Sequence, residues 1–80
     1  MIIKLIEGEF SDTDAVEIIS QMINVKVKYH ESKITSNSNE EDIKAREVKI
    51  KNLQSELSAL RRSIKSIGTR VKIQSIIKVE

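Results

Sequence analysis

Residues 43–67 read IKAREVKIKNLQSELSALRRSIKSI, and the fold turns on how this stretch is phased. Ile43, Ile50, Leu53, Leu57, Leu60, Ile64 and Ile67 recur at alternating steps of three and four, the a and d positions of a heptad, with Arg46 the one polar member of the series. This spacing predicts a helix. Its back carries Lys51, Ser55, Ser58, Arg62 and Ser66, so the apolar edge is narrow and needs a second helix to cover it.

The partner lies upstream. From Ala15 the apolar residues form two adjoining rows, Ala15, Ile18, Met22, Val25, Tyr29 and Val16, Ile19, Ile23, Val27, Ile34, which predict a helix over 12–34 with two surfaces to hide. Ser11 and Asp14 have capping-box spacing, Phe10 and Ala15 are placed as a hydrophobic staple, and Asp12, Asp14 and Glu17 sit where the helix dipole favours acids. Thr35, Ser36, Asn37, Ser38 and Asn39 make the loop between the helices. Ser38 with Glu41 reads as a second capping box, so the next helix spans 40–67, and Gly68 is placed to end it.

An antiparallel hairpin turning near Asn37 sets opposite each other residues whose numbers sum to roughly 75, given the i, i+3 and i+4 faces of both helices. Asp14 then meets Arg61, Asp12 meets Arg62, and Glu47 approaches Lys28. Ala15, Ile18, Met22 and Val25 face Leu60, Leu57, Leu53 and Ile50, and Tyr29 comes beside Arg46. The pairs of opposite charge select this register although each contributes at most about 1 kcal/mol.

Strands flank the hairpin. Ile2, Ile3, Lys4, Leu5 and Ile6 form a β-branched run over 2–7, with Ile3 and Leu5 on one face, Ile2 and Ile6 on the other, and Gly8 as a breaker. Over 69–79, Val71, Ile73, Ile77 and Val79 alternate with Arg70, Lys72, Gln74 and Lys78, and Ile76 interrupts the wet side. The fold class is therefore α+β: a single β-α-α-β domain over 1–80, with a long coiled-coil-like antiparallel hairpin on a small antiparallel sheet completed by oligomerisation.

Composition narrows function. Eighty residues supply one small core, and with no cysteine and only Tyr29 and Phe10 as aromatics that core is built from Ile, Leu and Val. The run Met1–Glu7 is too short for a signal peptide and no apolar run reaches a bilayer-spanning length, which points to a cytoplasmic protein without membrane contact. The net charge of +2 is too small to imply a polyanionic partner.

No catalytic, cofactor or metal signature is present, so an enzyme is not expected. His30, beside Tyr29 and Glu31, reads as a solvated histidine at the hairpin tip. Asp12 with Asp14, and Glu40, Glu41 and Asp42, read as helix-start acids, while Ser55, Ser58, Ser63 and Ser66 read as surface. Two strands alone are marginal, and the longer second strand would leave edge unpaired, so the chain is expected to pair with itself, as a homodimer or larger assembly, through Ile2, Ile6, Val16, Ile19, Ile23 and Ile76. The function that follows is a non-enzymatic structural or adaptor module engaging a protein partner. The alternative is a nucleic-acid-binding accessory protein using Arg61, Arg62, Arg70, Lys72 and Lys78; pairing with Asp14 and Asp12 answers Arg61 and Arg62, while Arg70, Lys72 and Lys78 stay unanswered within the helices, with Glu7 and Glu9 the nearest candidates.

Overall fold

The structure, a computed structural model, describes residues 1–67 and 70–80, apart from the side chains of Ser66 and Ile67. The order is β1 (Ile2–Ser11), α1 (Asp12–Ser32), α2 (Glu40–Ile67) and β2 (Arg70–Lys78). The two strands form one antiparallel sheet and the two helices an antiparallel hairpin, the β-α-α-β architecture predicted above. Gly68, assigned as the helix terminator, and Thr69, assigned as the first residue of the last strand, lie outside the described residues, as does the burial of Ile67.

The phase of α2 is the one the heptad demands. Ile43, Arg46, Ile50, Leu53, Leu57 and Leu60 are half-buried and Ile64 is buried at 2% exposure, whereas Lys51, Ser55, Ser58 and Arg62 are exposed. The register also agrees, since Arg46 contacts His30 and Leu60 and Ile64 pack around Ala15 and Val16.

The row of α1 that meets this seam is not the one expected. Val16, Ile19, Ser20, Ile23, Val27 and His30 are half-buried or buried, while Val25 is 71% exposed and Tyr29 is exposed. Ile18, Met22 and Val25 turn instead towards the sheet, where they line a groove with Leu5 and Ile6. Helical geometry explains the change, because residues one position apart differ by about 100°, so moving the contact row by one residue turns the other row out of the seam.

At the N-terminus of α1 the Asp14 amide donates to the Ser11 hydroxyl at 3.1 Å, the expected cap. For α2 the cap is Asn39, whose side-chain oxygen accepts from the Asp42 amide at 2.8 Å. Ser38 holds the loop instead: its hydroxyl accepts from the Thr35 amide at 3.0 Å and donates to the Lys33 carbonyl at 3.3 Å. The Asn39 carboxamide reaches the third residue of the helix from the position immediately before it, which leaves Ser38 one step too early to cap.

β1 passes through Gly8 rather than stopping there. Gly8 pairs with Ile73 and has φ 152°, a conformation that residues bearing a Cβ rarely adopt, so glycine here continues the strand instead of breaking it. Pairing runs from Ile2 opposite Lys78 to Ser11 opposite Arg70, with a register shift between Lys4 and Ile6. Leu5 is the extra residue of this bulge. It shifts the alternation by one, so Ile6 joins Leu5 on the helix side, although Ile6 was expected on the far face with Ile2. The strands match in length, and the unequal edge anticipated for β2 is absent among the described residues.

The core is small. Ala15, Ile64 and Val71 are buried together, with Phe10, Val16, Leu60 and Ile73 packed around them, where the base of the hairpin meets the near end of the sheet. Beyond it the ribbon is bare: Ile2, Ile3, Leu5, Ile76, Ile77 and Val79 are all exposed. No described helix is long and apolar enough to cross a membrane.

Candidate functional site

Three surfaces could carry function: a polar inclusion in the hairpin, an apolar groove beside the sheet, and the basic strand.

The inclusion is built by two misfits that meet. Arg46 breaks the α2 seam, and His30 falls three residues after Val27 on the α1 row that faces it. The Arg46 guanidinium donates to His30 Nδ1 at 3.1 Å, which makes Nδ1 the unprotonated nitrogen and leaves the proton on Nε2. Nε2 has no hydrogen-bond partner among the described residues, and the residue is only 5% exposed. This corrects the expectation of a solvated tip histidine. Burial first, then the charges of Lys49, Arg46 and Lys26, hold the imidazole pKa below its ordinary value of 6.5.

Tyr29 covers the outside of the pair, its ring centroid 5.9 Å from the Arg46 guanidinium carbon and 5.6 Å from Lys33 Nζ. The predicted approach of Tyr29 to Arg46 is thus realised as a cation–π contact. A cavity of about 300 Å³ beside His30 is lined by Lys26, Lys49, Asn52, Leu53 and Glu56. No cluster of three metal-ligating side chains occurs among the described residues. The chemistry on show is a neutral imidazole accepting one charged hydrogen bond.

The groove lies between β1 and α1. Leu5, Ile6, Ile18, Met22 and Val25 form its apolar lining, Asp14, Glu17 and Gln21 supply its polar members, and its volume is about 550 Å³. It exists because the bulge aims two consecutive residues at α1 while Ile18 and Met22 lean towards the sheet. The wide apolar arc of α1 signalled a second contact surface in the sequence, but not that the bulge in β1 would make it a groove.

The expected assembly residues separate into two groups. Val16, Ile19 and Ile23 are half-buried on the α1 face that meets α2, and Ile6 is half-buried in the groove lining. Ile2, 62% exposed, and Ile76, 52% exposed, stay uncovered on the face of the ribbon away from the helices.

Of the basic residues, Lys72 lies directly across the ladder from Glu9, one of the two candidate acids, while Arg70 faces Ser11 and Lys78 faces Ile2. Arg61 shares a shallow pocket with Asp12, Thr13, Val16, Ile64 and Lys65, and Arg62 is exposed on the back of α2. The direct pairs of Asp14 with Arg61 and Asp12 with Arg62 do not form, since the one ion pair within bonding distance among the described residues is Lys44 with Glu40 at 3.5 Å. Exposed side chains of this length gain too little from pairing to be fixed by it. No family model matches this chain, and no curated protein or solved structure is similar enough to count as a match.

Proposed function

We propose that this chain is a non-enzymatic module that assembles with itself in the cytoplasm and works through protein–protein contact, with its helical hairpin, a short antiparallel coiled coil, as the presented arm. One observation carries the reading. The chain exposes 6344 Å², whereas a compact monomer of 9.1 kDa exposes about 4,900 Å². Its radius of gyration is 15.3 Å, against about 12 Å for a compact domain of this length.

The excess is apolar where it matters. Both faces of the far ribbon carry uncovered isoleucines, and a two-stranded ribbon with no second layer is marginal in water. Burying the excess on each of two chains falls within the range of obligate homodimers, for which roughly 2,000–5,000 Å² in total is usual. Nucleic-acid contact draws less support, because the register sets Glu9 against Lys72 on the strand that would have to meet phosphate. Sedimentation equilibrium at micromolar concentration tests the proposal, with the expected mass a multiple of 9.1 kDa. A strictly monomeric species overturns it.

A further inference from the structure

The groove and the ribbon tip complement each other, yet one chain cannot bring them together. The groove has an apolar lining of Leu5, Ile6, Ile18, Met22 and Val25 with Asp14 and Glu17 beside it. The tip carries Ile2 opposite Lys78 and Lys4 opposite Ile76, so on the face away from the helices each isoleucine has a lysine across the ladder, while Ile3 and Ile77 face each other on the other side. Lys4 and Lys78 are the charged side chains of the paired tip, with the acid Glu80 following Val79 beyond it, and neither of the groove's charged residues is basic. Tip and groove therefore match in both hydrophobicity and charge.

They also share a strand. An extended chain advances about 3.3 Å per residue, so Ile2 lies beyond Leu5 along β1 and cannot turn back into a groove that Leu5 and Ile6 themselves line. The ladder extends this constraint to the end of the chain, since the Met1 ammonium donates to the Val79 carbonyl at 2.9 Å and the Val79 amide to the Met1 carbonyl at 2.8 Å.

We propose that the tip of a second copy of this chain fills the groove and that the exchange is reciprocal, giving a two-fold dimer with two identical tip-in-groove contacts. The inference rests on the self-assembly reading and names its surface. In such a dimer Ile2 and Ile76 lie against the partner's groove lining, and Lys4 and Lys78 approach the partner's acidic residues. Because each chain holds one groove and one tip, a reciprocal exchange uses both in a closed two-fold dimer, whereas an exchange that did not close would build fibres.

Charge reversal tests the contact with two double variants at exposed positions, which leave the core untouched. Lys4→Glu with Lys78→Glu reverses the tip, and Glu17→Lys with Gln21→Lys reverses the groove. Each variant alone sets like charge against like in both contacts, and an equimolar mixture sets opposite charges together in both. The expected result is a monomer for each variant at a concentration where the unaltered chain is dimeric, with the dimer mass restored on mixing. Helical circular dichroism of each variant confirms that it is folded. Variants that remain dimeric alone, or a folded mixture that stays monomeric, overturn tip-in-groove docking while the self-assembly of the unaltered chain stands. A monomeric unaltered chain overturns both.

Discussion

The helical hairpin and the β-ribbon are opposite in closure. Along α2 each described seam residue from Ile43 to Ile64 is at least half-buried, because α1 offers a matching row. Along the ribbon, burial fades from Val71 and Phe10 at the hairpin base to exposed isoleucines at the tip. Both elements are rich in Ile and Val, so composition does not separate them. What differs is the number of layers: the hairpin supplies its own second helix, whereas two strands form a single layer whose faces must be covered from elsewhere.

The most damaging way to probe this contrast is Ile64→Ala, at the one place where hairpin and ribbon share a core with Ala15 and Val71. Removing a fully buried aliphatic side chain costs about 2–5 kcal/mol, a large share of the stability of a domain this size, and urea melts will show it. Ser55→Ala, on the exposed back of the same helix, is expected to change stability by less than about 0.5 kcal/mol. Equal costs would mean that the seam and the back of α2 have been interchanged.

Gly8→Ala comes next and acts on the ribbon alone. An added Cβ would stand 3.9 Å from the Phe10 ring, an ordinary contact, so space is not the obstacle. The backbone at φ 152° is, and a side chain forced into such a region costs on the order of 1–3 kcal/mol. The loss is expected in thermal melts with helical content retained at low temperature. A neutral substitution would show that the strand need not pass through Gly8 in this conformation.

The heptad of 43–67 was legible because a narrow stripe admits one phase. Its partner row was not, since α1 carries two apolar rows of similar strength and sequence alone does not say which meets the helix and which the sheet. One clue was available: the row Val16, Ile19, Ile23, Val27, Ile34 lacks a member between its last two, and His30 fills that gap. Reading His30 as polar and therefore solvated hid the fact that Arg46, the gap in the opposite seam, lies across from it. The bulge at Leu5 was illegible for another reason. Ile2–Ile6 is apolar at every position but Lys4, so no alternation marks where the face changes.

The smallest expected effect belongs to this histidine and concerns the hairpin alone. Its folded pKa lies below the ordinary value because the neutral ring is buried and faces Lys49, Arg46 and Lys26. Between the folded and unfolded values the unfolded chain binds more protons, so stability rises with pH there. The stability that His30 contributes is complete above about 6.5 and is lost as pH falls from there through the folded value. Melts of the unaltered chain and of His30→Gln, compared from neutral to mildly acidic pH, should differ in slope only below that point. Parallel curves would mean that the imidazole is not buried against these cations.

The claim that the hairpin closes within one chain and the ribbon only between two is tested most directly by amide hydrogen exchange at a series of protein concentrations. Amides of the ribbon tip, those of the facing pair Ile3 and Ile77 above all, are expected to lose protection on dilution, in step with the fall in sedimenting mass, while Leu53 and Leu57 in the α2 seam keep theirs. Tip amides whose protection stays the same at every concentration, or a seam that opens together with the ribbon, would contradict it.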